Sequence, residues 1–248
     1  MHALTQQLHP LIQALAQGIV SLWQEAFPLA PYPLPADLGL VEGHLEGEKL
    51  WISNQCYQAP PFRKLHLELA RAGAGLDILH CVMFPDPHFD LPLFGCDLVG
   101  GRGQISAAIV DLSPVRGSLP PAYGVVLSGW EERRRGFQQP RPLPPWGEIF
   151  SPYCLFIRPQ GEQEEQAFLE LLLDYLRLHI RLALQADKIR DPQIVAEIWA
   201  GQERYCRQQQ QNDRTRRVLE KAFDPAWADR YMTTVLFDLP PQGITAEF

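Results

Sequence analysis

Apolar and polar positions divide the chain into a helical start, a strand-rich middle and a mostly helical remainder. Apolar residues recur at helical spacing from Leu4 to Leu22, and Pro10 predicts that the regular helix begins just after it. The proline-rich stretch 28–35 predicts an extended connector. In the middle, short apolar runs are separated by turn residues, which predicts strands at 41–45, 49–55, 62–71, 76–84, 91–99 and 104–112.

The strand patterns predict one central antiparallel sheet. Residues 62–71 alternate, with leucines at 65, 67 and 69 on one side and polar residues at 64, 66 and 68 on the other. Residues 76–84 are almost wholly apolar, as in a strand that is buried on both faces. Short connections between consecutive strands favour antiparallel pairing, and the first two strands should form a hairpin across Gly47.

After Pro114 the pattern is mostly helical, with long helices predicted at 163–186 and 192–211. Asp213 is expected to cap a third helix that runs to Phe223. Helices on both sides of the strands predict an α/β fold: a three-layer α/β/α sandwich with a central antiparallel sheet flanked by helices. We expect one domain over residues 1–248, with a disordered tail from about 240.

Composition excludes several classes of protein. The 248 residues carry a net charge of −7, which argues against nucleic-acid binding. No apolar run reaches the roughly 20 residues that span a bilayer, so no membrane association is expected. The N-terminus lacks the basic and small-residue features of a signal peptide. Because no signal peptide is expected and the number of cysteines, five, is odd, we expect the protein to lie in a reducing cytoplasm.

Standard cofactor and catalytic motifs are absent from the sequence. There is no GxGxxG or GxxxxGK[ST] nucleotide motif, no GxSxG nucleophile elbow and no HExxH metal motif. None of the cysteines forms a CxxC pair. The sequence therefore predicts neither a bound organic cofactor nor a bound metal.

Four titratable residues lie within apolar strands: His66, Glu68, His80 and Asp97. If these strands are neighbours, the four groups converge on one face of the sheet. A buried carboxyl has a raised pKa and can hold a proton at neutral pH, which suits a proton donor or relay. The alternative is structural: a strand histidine is more often a hydrogen-bonded core residue, and Glu68 could face water.

A second cluster, Arg214, Arg216 and Arg217, lies near a predicted helix start. The positive end of a helix dipole already favours anions, so these side chains could hold a carboxylated ligand or an acidic partner. The alternative is a solvated basic helix face.

Six segments resemble the ferredoxin-dependent bilin reductases, and in particular the members that form phycocyanobilin: 45–50, 62–70, 75–85, 91–97, 143–151 and 212–223. The resemblance implies an enzyme that reduces biliverdin IXα to phycocyanobilin with four electrons from reduced ferredoxin. It implies no bound metal or flavin, and proton-coupled steps through bilin radicals. It also implies an α/β/α sandwich with the bilin between the sheet and the C-terminal helices.

The same resemblance implies roles for individual residues. Asp97 matches a central proton donor, His80 the histidine that shares its proton, and Glu68 the acid for reduction of the exovinyl group. The substrate-binding positions implied are His66, Asn212 and Val218 near the bilin, and Ser106, Arg141 and Arg214 at its propionates. Arg214 departs from the expected lysine, but a guanidinium also binds carboxylate, often through two hydrogen bonds.

Two rival functions remain open. One is a bilin reductase of different regiochemistry, which product absorbance would separate. The other is a non-catalytic bilin-binding protein, which would bind biliverdin without responding to reduced ferredoxin. Acidic groups at Asp97 and Glu68 within apolar strands favour catalysis. The protein is expected to be a monomer.

Overall fold

An eight-stranded antiparallel sheet lies between two layers of helices in the computed structural model, which describes residues 7–240. The strands are β1 (Ala30–Pro31), β2 (Leu40–Leu45), β3 (Glu48–Ala59), β4 (Phe62–Ala72), β5 (Leu76–Pro85), β6 (Leu93–Gly101), β7 (Gln104–Ser113) and β8 (Leu155–Ile157). The helices are α1 (Pro10–Ala26), α2 (Pro121–Ser128), α3 (Glu131–Arg135), α4 (Gly161–Ala183), α5 (Pro192–Gln210), α6 (Asp213–Ala222) and α7 (Pro225–Tyr231), followed by a π-helical turn at Met232–Leu236.

The strand order is β1-β3-β4-β5-β6-β7-β8, and β2 pairs with β3 beside β1. The predicted sheet and the α/β/α layering are confirmed, as is the β2–β3 hairpin, which turns at Glu46 and Gly47 with φ of 53° and 89°. Three details differ from expectation. β6 begins two residues later than predicted, β1 lies within the proline-rich connector, and β8 lies in a region predicted to be helical.

Side-chain alternation gives the sheet two different faces. One, the leucine face, carries Leu65, Leu67 and Leu69 and packs against α1, α2 and α4. The opposite side carries His66, Glu68 and His80, and we call it the polar face. It packs against α5, α6 and α7 around a second apolar core. None of the helices formed by residues 7–240 is long and apolar enough to cross a bilayer.

The start of α6 corrects one expectation, because Asn212 caps the helix and Asp213 does not. Asn212 has extended backbone angles, and its Oδ1 accepts hydrogen bonds from the backbone N–H groups of Arg214 and Thr215, at 3.1 and 3.4 Å. Asp213 is the first helical residue, so its carboxylate can favour the helix dipole but cannot reach back to cap it.

A buried charge cluster fastens the end of the described chain to the polar face. Lys64 is fully buried, and its Nζ donates to the Val235 carbonyl and pairs with the Asp238 carboxylate. Arg63 donates to the same carboxylate at 2.8 Å. Burial acts to raise the pKa of Asp238, but the charges of Lys64 and Arg63 outweigh it and lower the pKa. The predicted tail beyond Pro240 lies outside the described residues.

We expect Asp238→Asn to lower the free energy of unfolding by about 3–5 kcal/mol, since it leaves a buried ammonium without its counter-charge. Urea denaturation checks this. The contribution of Asp238 is present above the ordinary aspartate pKa of about 4 and is lost as pH falls through the lower folded value. Glu42→Gln, which removes an exposed pair with Lys49, is the control and should leave the urea midpoint nearly unchanged. Equal midpoints for both variants would contradict the prediction.

Candidate functional site

The pairing of four neighbouring strands aligns polar side chains in one row across the polar face. Asn54 of β3 lies opposite Glu68, Glu68 opposite His80, and His80 opposite Asp97 of β6. Directly opposed residues project to the same side of an antiparallel sheet, so the four side chains are neighbours. His66 is two residues from Glu68, and its ring centroid lies 5.6 Å from that of His80. The expected convergence is therefore present.

His80 and Asp97 form a tight pair, with 2.5 Å between Nδ1 and Oδ1. The expectation that Asp97 is buried is wrong: 47% of its side chain is exposed, against 9% for His80. Burial acts to lower the pKa of His80, but the charge and hydrogen bond of Asp97 outweigh it, and the pKa is raised. The pair therefore holds a proton, with its carboxylate end facing outward.

Glu68 lies at the buried part of the row and is 7% exposed. Burial raises the pKa of its carboxyl, against the opposing effects of the His80 charge and of a hydrogen bond from Tyr231. The Tyr231 hydroxyl donates to Glu68 Oε2 at 2.5 Å. Glu68 therefore meets the expectation of a buried carboxyl that retains its proton more readily than an exposed one.

His66 is fully buried, and its Nε2 donates to Asn54 Oδ1 at 2.8 Å. Burial lowers its pKa far below the ordinary value, and the positive charges of Lys64 and His80 lower it further. His66 is therefore a neutral imidazole. Two buried ring nitrogens, Nδ1 of His66 and Nε2 of His80, have no hydrogen-bond partner within the described chain.

Beside this row the polar face is partly open to solvent and forms a mostly apolar surface, which we call the shelf. Its half-exposed residues are Ile78, Gly95, Val99, Ala107, Ile109 and Phe156. Arg141 lies at its rim, with the guanidinium 5.3 Å from the Phe156 ring centroid and donating to the Ser106 carbonyl at 2.8 Å. Asp97 stands within the shelf. The surface therefore suits a flat conjugated ligand that carries carboxylates at its edge.

The predicted binding residues of α6 lie in the helical layer that packs on this face. Asn212 is half-buried and uses its Oδ1 as the helix cap, while Val218 packs half-buried against the core. Arg214 is exposed and has no ion-pair partner among residues 7–240. No hydrogen bond within that range joins these three to the Glu68–His80–Asp97 row.

The other two arginines of the cluster are paired on the surface. Arg216 pairs with Asp229 at 3.2 Å, and Arg217 with Asp213 at 3.4 Å. For these two the structural alternative, a solvated helix face, describes what is seen.

Two residues of the site were missed by the sequence reasoning. Asn54 had one signal, its position between Ile52 and Cys56 as a polar residue on the same strand face. Tyr231 had a different one, since Phe223, Trp227 and Tyr231 recur every four residues. Their rings stack with centroid distances of 3.9 and 4.9 Å, and Tyr231 is fully buried beside Glu68.

Among residues 7–240 the site contains no metal-binding cluster, and it lies apart from the surface cavity near α1 and α4. Within residues 7–240, no group of three or more His, Cys, Asp or Glu side chains is placed to hold a metal ion. A surface cavity of about 900 Å³ lies near the N-terminal ends of α1 and α4, lined by residues that include His9 and Arg158 but none of the titratable row. The row is the better candidate site because its titratable groups converge and the pKa values of Glu68 and His80 are raised.

Comparison with known proteins assigns the family. The model of the ferredoxin-dependent bilin reductases matches residues 16–238. The chain is 57% identical over 238 residues to the phycocyanobilin:ferredoxin oxidoreductase of Synechococcus elongatus, covering 96% of each chain. It is 57% identical over 232 residues to that of Gloeobacter violaceus, covering 94% of this chain and 91% of the relative.

A solved structure has the same fold. Phytochromobilin synthase from tomato, in complex with biliverdin, aligns with a TM-score of 0.79 at 18% identity, over 92% of this chain and 84% of that one. The family model spans the sheet and all of the C-terminal helices described above. The chain therefore belongs to the ferredoxin-dependent bilin reductase family.

Proposed function

We propose that this protein reduces biliverdin IXα to phycocyanobilin, taking four electrons from reduced ferredoxin and using no bound metal or flavin. The observation that carries the proposal is the titratable row Glu68–His80–Asp97 beside the mostly apolar shelf. The relatives at 57% identity support the choice of product. A monomer in the cytoplasm, and the order of reduction with the exovinyl group first, belong to the same proposal.

The row suits the chemical requirement of this reaction. Each electron added to an extended tetrapyrrole raises its basicity, so each electron must be followed by a proton, and the bilin passes through radical intermediates. Ferredoxin supplies electrons only. The protein must therefore supply protons at defined carbons, and coupled acids with shifted pKa values can do so.

Asp97 and His80 act together in this proposal as the central proton donor. Asp97 projects into the shelf, where it can reach the pyrrole nitrogens of a bilin lying there, and His80 holds the proton behind it at 2.5 Å. Because the raised pKa of His80 depends on the Asp97 charge, the pair delivers one proton as a unit.

Glu68 supplies the proton for the exovinyl group. It lies next to His80 in the row but is buried, and burial raises its pKa. The two donors therefore differ in environment: one faces the open shelf and the other is enclosed. That difference allows them to protonate different ends of one substrate.

The remaining residues hold the bilin in place. Arg141 and Ser106 lie together at the shelf rim and can meet a propionate, while Arg214, which has no ion-pair partner among residues 7–240, can meet the second. His66 faces the bilin from the sheet. Asn212, which caps α6, and Val218 of α6 contribute from the opposite side of the ligand.

The direct test is anaerobic turnover. Purified protein should bind biliverdin about one to one, contain no stoichiometric metal or flavin, and form phycocyanobilin when reduced ferredoxin is added. Metal analysis, absorbance and product chromatography measure this. Another phytobilin as product would indicate different regiochemistry, and binding without turnover would indicate a bilin carrier.

We expect Asp97→Asn to bind biliverdin normally but to lower the rate of its complete reduction by about 100-fold or more. Asparagine is nearly isosteric, so the shelf is preserved while the acidic group is lost. The first electron still arrives, and the one-electron bilin radical should persist because its proton donor is absent. Electron paramagnetic resonance after partial reduction, with product assay alongside, measures this.

His80→Gln should resemble Asp97→Asn, and the double variant should be little worse than either, since both changes break one proton-sharing pair. Asp77→Asn is the control: Asp77 lies on β5 but faces the other layer, where it accepts a hydrogen bond from the His9 backbone. Product yield equal to wild type in Asp97→Asn would make Asp97 a structural residue.

We expect Glu68→Gln to stop the reaction after two electrons and to accumulate a half-reduced bilin. Glutamine keeps the shape of the side chain but cannot deliver the proton for the exovinyl group, so the accumulated bilin should keep that group unreduced. Chromatography of the products at full consumption of biliverdin measures this. Glu164→Gln, in an equally buried glutamate of α4, is the matched control and should give complete conversion. Complete conversion at the normal rate by Glu68→Gln would assign Glu68 a structural role only.

A further inference from the structure

The Tyr231 hydroxyl lies between two possible acceptors. It is 2.5 Å from Glu68 Oε2 and 3.0 Å from Asn54 Oδ1, and it also receives a hydrogen bond from Asn54 Nδ2 at 2.8 Å. One hydroxyl proton can serve only one acceptor at a time. Which acceptor it serves therefore depends on the protonation of Glu68 and on the orientation of the Asn54 amide.

The orientation of Asn54 is set by the backbone. Its Nδ2 donates to the carbonyl of Leu38 at 2.8 Å, and a carbonyl can only accept. The amide cannot flip without placing two acceptor oxygens in contact. Oδ1 therefore faces inward as an acceptor, which requires the proton of neutral His66 to be on Nε2.

We infer that Asn54 and Tyr231 are positioning residues that keep Glu68 hydrogen-bonded in both of its protonation states, through rotation of a single hydroxyl proton. When Glu68 is a carboxylate, Tyr231 donates to it. When Glu68 is protonated, its own O–H donates to the Tyr231 oxygen, and the tyrosine proton turns to Asn54 Oδ1. No heavy atom has to move, because both contacts are already within hydrogen-bond distance.

Rigid packing keeps the tyrosine in this position. Tyr231 is fully buried and stacks on Trp227 with an interplanar angle of 12°, and Trp227 stacks on Phe223. The Phe223 ring lies directly on Gly43 of β2, where an added Cβ would be 2.6 Å from the ring. The hydroxyl is therefore held by an aromatic stack that needs a glycine beneath it.

The two partners should affect Glu68 in opposite directions. Tyr231→Phe removes a donor to the carboxylate, which raises the pKa of Glu68. Asn54→Leu leaves the tyrosine proton without an acceptor when Glu68 is protonated, and an unsatisfied buried donor is costly, so the pKa should fall. The other titratable or charged groups near Glu68 are His80, Asp97, His66, Lys64 and Cys56, and both variants retain them.

The experiment is an infrared difference titration of the full-length, bilin-free protein, following the C=O band of protonated Glu68. Glu68→Gln identifies the band by its loss. We expect the titration midpoint to rise by about one pH unit in Tyr231→Phe and to fall by about one pH unit in Asn54→Leu. Tyr123→Phe, a buried tyrosine of α2 that bonds His179 in the other layer, should leave the midpoint unchanged.

Shifts in the same direction, or no shift in Tyr231→Phe, would overturn the inference. If circular dichroism shows that Asn54→Leu is unfolded, the Glu68 titration midpoint in Tyr231→Phe alone tests the inference. The inference rests on the proposed role of Glu68 as a proton donor, but the titration measures the carboxyl itself. Absence of biliverdin turnover by wild type would therefore contradict the proposed function without changing the midpoints.

Discussion

The register of four antiparallel strands is the constraint on which the site depends. Glu68, His80 and Asp97 come from three different strands and meet only because β4, β5 and β6 pair at these positions. Since side chains alternate with a period of two, a shift of one residue in any pairing would send one of them into the leucine core. Packing of leucines against α1 and α4 opposes such a shift, so the apolar core maintains the geometry of the polar row.

Burying a row of ionisable groups beneath a helical layer lowers the stability of the fold unless each group is paired. The C-terminal layer supplies two of the partners, since Tyr231 bonds Glu68 and Asp238 meets the buried Lys64. Asn54 of β3 supplies the third by bonding His66. The C-terminal layer therefore covers the polar face, compensates its charges and leaves the shelf around Asp97 open.

The degree of burial differs along the row, and this difference gives the two carboxyl groups different acid–base properties. Asp97 is half-exposed, and its charge and hydrogen bond raise the pKa of the buried His80 beside it. Glu68 is enclosed, so its environment favours the neutral acid. Two carboxyl groups of similar intrinsic acidity thus acquire distinct roles, which a reaction with several separate proton transfers requires.

Sequence patterns predicted six of the eight strands, the long helices, the antiparallel sheet and the candidates His66, Glu68, His80 and Asp97, because alternation and polar interruptions of apolar runs are local signals. They did not reveal β8, the exposure of Asp97, or the partners Asn54 and Tyr231. β8 has three residues, too few for a period to emerge, and exposure depends on which helices cover a strand. Asn54 and Tyr231 are 177 residues apart, so their contact forms only when the chain folds and leaves no local pattern in the sequence.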